Sequence, residues 1–411
     1  MLGEVAAPPA PRPPRPLAAV FVATFFVRFS FGITIAVFAN YITGHSSGFT
    51  PQEFGTAGLV SSMAPIGEFS TVLLSGAAAD RWGRYPVLFG GMAGAAVMFA
   101  VVAATRSALV LGAANFLFGI ASGAILAASL AVVADRSGAD ERGLEMGRFD
   151  AVNLSGWIGG YAFGFGALGT IANSRLSLVF LVGATALIAG IVGASALLRG
   201  APRRTPVRSF SLRHVLRSAF RGTVLVVTLP WLVIYCLIGT ALVYFAPAAT
   251  GIGIPPLYLA AAIGGGGALL VLTQPFYGRR ADRIGRTRMM TVGATGFILL
   301  LGFASLIIAY GAAWPLLVAL GASAALALAY GPAALAALAD LAVELSRATT
   351  MAIYSLTISL GMFVGLAASS QLLARFGDRG LYPFFGAIAL VLGVLTAVRW
   401  AEARRATIPV R

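Results

Sequence analysis

Long apolar runs recur along the whole chain, and they constrain its fold more than any other feature. Each covers roughly twenty residues, about the length that a tilted helix needs to cross the ~30 Å hydrocarbon core of a bilayer. Hydrophobic residues fill 59% of the 411 positions and charged residues only 10%. A soluble globular protein does not have this composition. The predicted fold class is therefore an all-α integral membrane protein that uses the lipid bilayer as its solvent.

The runs predict twelve transmembrane spans, numbered here in chain order. Their predicted bounds are 17–43, 51–77, 85–105, 107–134, 148–172, 177–198, 224–249, 257–277, 289–309, 313–339, 347–373 and 381–400. Residues 1–16 are rich in proline, and we expect a disordered N-terminal tail without an export signal. A basic linker separates two halves of six spans each. The predicted segments are thus 17–198, 199–223, 224–400 and a C-terminal tail at 401–411.

The arginines are distributed unevenly between the connections. Of the 29 basic residues, all arginines, 24 fall in segments predicted to share one side, four fall on the other side, and one lies inside span one. By the positive-inside rule, both termini are predicted to be cytoplasmic in a multi-pass protein of the plasma membrane. Topology then accounts for the net charge of +15. Because the arginines are scattered over separate loops, we expect no nucleic-acid partner.

Residue types that form metal or catalytic sites are scarce. Cys236 is the single cysteine and lies inside span seven, while His45 and His214 lie in different connections. No Ser/His/Asp set is visible, and the glycine run at 264–267 lies within span eight instead of following a strand. We therefore expect neither an enzyme nor a bound cofactor or metal, although a proton gradient could drive the protein.

Two pairs of matching segments relate the halves. GAAADRWGRY at 76–85 and GRRADRIGRT at 278–287 share Gly, Asp-Arg and Gly-Arg at the same spacing, with an offset of 202 residues. A second match, at an offset of 205, relates the approach to span five to the approach to span eleven; it pairs Asp135, Arg142, Met146, Gly156 and Gly160 with Asp340, Arg347, Met351, Gly361 and Gly365. Parallel repeats are typical of transporters whose binding site lies between the halves near the midplane.

The segment GAAADRWGRY resembles the loop signature of the major facilitator superfamily, which has a glycine, three variable residues, Asp-Arg, one residue and Gly-Arg. The resemblance covers nearly the whole chain and includes the six-plus-six spans, the basic linker and the signature in both halves. It implies the fold of that superfamily, with two six-helix halves around a central cavity. Span five, with glycines at 156, 160 and 164, is partly similar to a motif of drug:proton antiporters but lacks its Gly-Pro step. Helix packing alone also explains these glycines.

The signature predicts a latch between the halves on the arginine-rich side. Its predicted members are Gly76, Asp80, Arg81, Gly83 and Arg84 in the first half and Gly278, Asp282, Arg283, Gly285 and Arg286 in the second. Glycine allows close helix approach. Arg81 and Arg84 are expected to pair with acids such as Asp135. The resemblance implies that Asp80 faces the positive N-terminal end of span eleven. A loop that only anchors topology is the alternative, but it would need neither the aspartate nor the glycines.

Two charged residues lie deep in the predicted spans, where charge is costly and usually marks function. At ~1.5 Å per residue, Arg28 in span one lies about 16 Å from the cytoplasmic end and Glu68 in span two about 15 Å. A pair between them would allow a proton switch, in which protonated Glu68 releases Arg28. A static pair, or an Arg28 that faces a cavity or a substrate, are the alternatives. Asp150 is a further coupling candidate, although its place near the predicted start of span five indicates that it is not buried.

Uncharged polar and aromatic side chains supply the other candidates for a substrate cavity. They are Asn40, Asn115, Ser122, Asn153, Trp157, Tyr161, Tyr235, Gln274 and Tyr354, with Arg28 as the charged member. Each alone is more typical of helix packing, but together they predict an aromatic, mostly neutral cavity that disfavours a polyanionic substrate. Asn115 stands where exporters of the resembled family have a coupling arginine, so that role does not carry over.

These patterns predict a monomeric secondary transporter that works by alternating access and exports a small apolar or weakly charged organic compound in exchange for protons. Uptake of a neutral or mono-anionic metabolite is the alternative within transport. From another class, the chain could be a transporter-fold sensor or a lipid-handling scaffold that does not cycle. The latch signature in both halves argues against a sensor, because a receptor needs no matched latch.

Overall fold

Helices make up nearly all of the described structure. The computed structural model describes residues 15–44, 51–137, 141–198, 227–240, 255–311, 313–341 and 347–407. Within these ranges there is no strand, and nine helices are long and apolar enough to cross a membrane. The predicted all-α class is confirmed. The whole linker, most of the N-terminal tail and residues 408–411 of the C-terminal tail lie outside the described ranges.

In the N-terminal half, six long helices follow the predicted spans. They run Arg15–Thr43, Pro51–Trp82, Arg84–Ala104, Ala108–Arg136, Arg142–Thr170 and Ser177–Leu197, with a 3-10 turn at Asn173–Arg175 before the last. Spans two and five differ from the prediction. Span two extends to Trp82, and span five begins at Arg142 instead of 148.

In the C-terminal half, two spans are broken into consecutive helices. The helices run Val227–Thr240 in span seven, Pro256–Leu272 and Gln274–Ile284 in span eight, Arg286–Tyr310 in span nine, Trp314–Ala327 and Tyr330–Leu341 in span ten, Arg347–Phe376 in span eleven and Leu381–Thr407 in span twelve. A 3-10 turn at Gly377–Gly380 joins the last two spans. Span twelve therefore continues into the region predicted to be a tail.

A single glycine joins spans two and three, and another joins spans eight and nine. Gly83 has φ of 101° and Gly285 has φ of 97°, a backbone region where a Cβ would clash. The helices on either side end and begin at the residues directly next to these glycines. The signature is thus the last turn of one helix, one glycine and the first residue of the next. Its charged side chains are held on helical backbone in both halves.

Glycines bring span one and span five into close contact. A Cβ at Gly160 would overlap the backbone carbonyl of Phe29, and a Cβ at Gly156 would stand 2.9 Å from Cβ of Arg28. This confirms helix packing as the role of the span-five glycines. It also fixes Arg28 directly against span five.

The C-terminal half repeats this packing between spans seven and eleven. A Cβ at Gly365 would overlap the backbone carbonyl of Cys236, and a Cβ at Gly361 would stand 2.8 Å from Cβ of Tyr235. The two repeats therefore use the same pair of glycines, 205 residues apart, for the same contact.

The halves touch at both ends of the helices. At the end that carries the signature residues, called the arginine-rich end below, the Asp282 carboxylate accepts hydrogen bonds from the backbone N–H groups of Gly143 and Leu144, both at 3.1 Å. At the opposite end, a Cβ at Gly58 of span two would stand 2.8 Å from Cβ of Ser370 of span eleven. Each contact joins one helix of the N-terminal half to one helix of the C-terminal half, spans five and eight at the first end and spans two and eleven at the other.

Candidate functional site

Arg28 lies midway along span one and faces the protein interior. Its Nε donates a hydrogen bond to Oδ1 of Asn153 in span five at 2.7 Å. Its guanidinium carbon lies 5.7 Å from the ring centre of Phe31. The side chain is half-buried, and its terminal nitrogens make no hydrogen bond to any described residue. Arg28 therefore does not point into lipid.

Glu68 lies at the contact between the two halves. Its side chain is 7% exposed, and Oε1 accepts a hydrogen bond from the hydroxyl of Ser355 in span eleven. The hydroxyls of Ser122 and Ser359 lie near the same carboxylate. A carboxyl of the N-terminal half thus sits among hydroxyl donors, two of which belong to the other half.

The direct ion pair between Arg28 and Glu68 is not formed in this conformation. Arg28 donates to Asn153, and Glu68 accepts from Ser355. The charge of Arg28 still acts on Glu68 at longer range. The two residues lie at the similar depth that their positions in the spans predict. Asn153 and Ser355, however, are their direct hydrogen-bond partners.

Asp150 is buried, which corrects the expectation from the predicted start of span five. The helix begins six residues earlier than predicted, at Arg142, so Asp150 lies about 12 Å along it. Its side chain is 6% exposed. The amide of Asn153 stands between Asp150 and Arg28 and contacts both. We call Arg28, Glu68, Asp150 and Asn153 the charged cluster.

The C-terminal half contributes aromatic rings next to the charged cluster. Trp231 stacks on Tyr235 with ring centres 5.2 Å apart, and it meets Tyr330 and Tyr354 edge to face at 5.3 Å and 5.1 Å. The hydroxyls of Tyr235 and Tyr354 are 3.3 Å apart. All four side chains are buried. We call these four residues the aromatic cluster.

Two members of the aromatic cluster, Trp231 and Tyr330, were not among the sequence candidates. Trp231 precedes Tyr235 by four residues, and this spacing places both rings on one helix face. That signal could have identified Trp231. Nothing comparable identifies Tyr330, because it lies at the break within span ten, which the periodicity does not reveal.

Trp157 and Ser122 lie near the charged cluster, and each has a buried polar atom. The Trp157 ring centre is 6.0 Å from that of Phe31. Nε1 of Trp157 is buried and has no hydrogen-bond partner within the described residues. Oγ of Ser122 is also buried; it lies near the Glu68 carboxylate but does not form a regular hydrogen bond to a described residue. The substrate cavity that these two residues would line stays a prediction.

Asn115 serves helix packing instead of lining the central site. Its amide donates to the backbone carbonyls of Val60 at 2.9 Å and Ser61 at 3.2 Å. The side chain is 5% exposed. These bonds tie span four to span two, and they explain why a neutral amide occupies this position.

Three other cavity candidates lie away from the charged cluster. Asn40 is twelve residues from Arg28 along span one, or about 18 Å. Gln274 is completely buried at the break in span eight, and neither amide atom has a partner in the described structure. Tyr161 packs edge to face on Phe165 at 4.9 Å.

The signature residues form the same chain of ion pairs in both halves. In the first half, Arg84 binds Asp80 at 3.0 Å and Asp135 at 2.9 Å. In the second half, Arg286 binds Asp282, and it binds Asp340 at 2.9 Å. Each chain ties the end of one helix pair to the end of span four or span ten.

Arg81 and Arg283 do not take part in these chains. Both side chains are exposed, and neither forms an ion pair with a described residue. This corrects the expectation that Arg81 pairs with Asp135. Residues 342–346, directly before span eleven, lie outside the described residues. The contact of Asp80 with the start of span eleven therefore stays a prediction.

The sequence model of the Major Facilitator Superfamily matches residues 20–272 and 246–409, which together cover most of the chain. The chain belongs to the Major Facilitator Superfamily. Among curated relatives, the class C tetracycline resistance protein of Escherichia coli is 30% identical over 176 residues, or 42% of this chain and 43% of that protein. The alignment thus spans less than half of the relative's length.

Solved structures of the Major Facilitator Superfamily have the same fold. The human organic anion transporter MFSD10 (TETRAN) superposes with a TM-score of 0.67 at 18% identity, covering 94% of this chain and 100% of that one. The proton:xylose symporter XylE bound to 6-bromo-6-deoxy-D-glucose superposes with a TM-score of 0.69 at 16% identity, covering 93% and 94%. Together with the family match, these likenesses show that the chain has a multi-pass membrane transporter fold.

Proposed function

We propose that this superfamily member exports a small apolar or weakly charged organic compound in exchange for protons. It would act as a monomer in the plasma membrane, with both termini and the arginine-rich end in the cytoplasm. It would use the proton gradient and no bound cofactor. The similarity to a tetracycline resistance protein supports export, although it is limited to 176 residues of the chain.

The observation that carries the proposal is the position of Glu68. Its carboxyl lies in the N-terminal half and accepts a hydrogen bond from Ser355 of the C-terminal half. A titratable group at this boundary changes its charge where the halves must part and close. Protonation can therefore alter the balance between open and closed conformations.

The direction of this effect follows from desolvation. Closing the halves over an ionised carboxylate removes it from water, and the hydroxyl donors and the distant Arg28 compensate only in part. Closing over a protonated carboxyl carries no such cost. In an exchanger, the protein must pass through the closed conformation only when either a proton or a substrate is bound. A carboxyl at the boundary can enforce this rule, because it must be neutralised before the halves close.

Transport in reconstituted vesicles with an imposed pH gradient tests the proposal. A panel of cationic dyes, neutral aromatic compounds and carboxylates would be offered to the wild type and to Glu68→Gln. We expect the variant to lose gradient-driven accumulation while it retains downhill exchange. Glu141→Gln is the matched control, because Glu141 is an exposed acid at the arginine-rich end of span five. Full gradient-driven accumulation by Glu68→Gln would rule out coupling through this residue.

A second candidate is uptake of a neutral or mono-anionic metabolite, and Arg28 is the observation that favours it. Only Nε of Arg28 is bonded to a described residue, so the terminal nitrogens could bind a carboxylate. In the same vesicles, this function predicts accumulation of a carboxylate that Arg28→Gln abolishes. A protein that moves no member of the panel in either direction would instead support the sensor or lipid-handling alternative.

A further inference from the structure

Asp150 and the aromatic cluster face each other across the boundary between the halves. Asp150 belongs to span five, and Gly331 opposite it belongs to span ten. A Cβ on Gly331 would overlap Oδ2 of Asp150 and would stand 3.8 Å from Cη2 of Trp231. The glycine therefore lets the carboxylate reach the edge of the aromatic cluster.

The aromatic cluster has the composition that recognises an organic cation. The faces of Trp and Tyr rings attract positive charge, most strongly when water is excluded, and a nearby carboxylate adds to this attraction. Trp231 is 6% exposed and Tyr354 only 2%. In addition, Nε1 of Trp231 is buried and has no acceptor among the described residues, which leaves a hydrogen-bond donor available to a ligand.

The charged cluster lacks one positive charge. Arg28 is its only cation, whereas Glu68 and Asp150 are both acids. Within the described structure, neither carboxylate forms a direct ion pair. An uncompensated buried charge is costly, so one additional positive charge is needed when both acids are ionised. A proton or a monovalent cation can supply it.

The geometry points to a subsite for a flat aromatic monocation, formed by Asp150 together with Trp231, Tyr235 and Tyr354. The acid and the rings belong to different halves, so a slot opens between them when the halves part. A planar ligand fits such a slot, with its charge near the carboxylate and an acceptor atom near Nε1 of Trp231. This inference rests on the proposed function and narrows its substrate class. The cation and the proton would then alternate at the charged cluster.

Equilibrium binding to the purified full-length protein tests the subsite. The probe is 6-methoxy-1-methylquinolinium, a permanent aromatic cation with an acceptor oxygen, and 2-methoxynaphthalene is its neutral counterpart. We expect Asp150→Asn to weaken binding of the cation by about tenfold or more, since one charge partner is lost. Trp231→Leu should weaken it by roughly fivefold. Gly331→Ala should also weaken it, because the added Cβ displaces the carboxylate.

Two comparisons separate charge recognition from misfolding. Glu141→Gln removes an exposed acid near the same helix and should bind the cation like the wild type. Asp150→Asn should retain the affinity of the wild type for 2-methoxynaphthalene, which shows that its fold is intact. Equal losses of both probes in Asp150→Asn, unchanged affinity for the cation, or no binding of the cation by the wild type would each overturn the subsite.

The outcome can be distinguished from a failure of the proposed function. If Asp150→Asn binds the cation normally while Glu68→Gln loses gradient-driven accumulation, the subsite is wrong and proton-coupled export stands. If Asp150→Asn loses the cation while Glu68→Gln keeps gradient-driven accumulation, the subsite stands and coupling through Glu68 is wrong.

Discussion

The two halves have matching backbones at the centre of the molecule but different chemistry. Asp150 in span five corresponds to Ser355 in span eleven at the repeat offset of 205. Arg28 corresponds to Tyr235, because Gly160 packs on the residue after Arg28 as Gly365 packs on the residue after Tyr235. Charged groups thus occupy the first half where neutral hydroxyls occupy the second. The helices are repeated in the two halves, whereas the charged side chains at the centre are not.

The arginine-rich end shows the opposite behaviour. There, the Arg84 chain of the first half and the Arg286 chain of the second have the same residue types. The bonds from these arginines to Asp135 and Asp340 are both 2.9 Å long. In each half, one arginine bridges two aspartates at this end. The ion-pair chains at this end are therefore symmetric, whereas the charged groups at the centre are concentrated in one half.

Ser355→Asp should break the central asymmetry with the largest effect. It places a second carboxylate directly against Glu68, and two buried carboxylates in contact cannot both be ionised cheaply. We expect transport at neutral pH to fall by about 100-fold and to recover in part as the pH falls, measured as initial rates in vesicles. Ser355→Asn is the control of similar size. A flat pH profile for Ser355→Asp would contradict the close contact between the halves.

Arg28→Gln compared with Tyr235→Phe tests the equivalent positions in span one and span seven. Loss of the only cation leaves two buried acids uncompensated, which should cost about 3 kcal/mol of the free energy of unfolding. Loss of one tyrosine hydroxyl should cost about 1 kcal/mol. Thermal unfolding of both variants in detergent measures the difference. Equal losses would mean that Arg28 carries no special electrostatic role.

Gly143→Ala tests the contact that Asp282 makes across the boundary. A Cβ at Gly143 would meet both carboxylate oxygens of Asp282 and the backbone carbonyl of Gly278. We expect the contact between the halves at the arginine-rich end to be weakened by about 2 kcal/mol. Proteolysis at this end should then be faster. The repeat position in the second half, 348, carries an alanine. If Gly143→Ala left proteolysis unchanged, position 143 would accept alanine as position 348 does, and the close approach of Asp282 would be unimportant.

Gly83→Ala and Gly285→Ala should have the smallest effects, and the effects should be equal. Both glycines have φ close to 100°, so each substitution forces a Cβ into a disfavoured backbone region at about 1 to 2 kcal/mol. Unfolding midpoints of the two variants give the comparison. A marked difference between them would show that the signature turns are not equivalent in the two halves.

The sequence is sufficient to predict the helical class, the repeats and the common depth of Arg28 and Glu68, because hydropathy and spacing act locally. The partners of these residues could not be predicted, since they depend on rotation of the helices and on contacts between distant spans. Helix starts could not be predicted accurately either, because hydropathy marks them poorly. For Asp150, an error of six residues in the start of span five changed a predicted surface position into a buried one. The helix breaks in spans eight and ten escaped prediction for the same reason.

In the proposed mechanism, protonation of Glu68 controls how the halves part, and the distance between the halves measures this most directly. Arg81→Cys and Arg283→Cys provide label sites on equivalent exposed positions, in a background where Cys236, the only native cysteine, is replaced by alanine. Electron–electron distance measurements between spin labels would be made as a function of pH. We predict that the distance distribution of the protein with Glu68 shifts with pH, whereas Glu68→Gln keeps the low-pH distribution throughout. A Glu68→Gln distribution that shifts with pH as the parent does would contradict the claim.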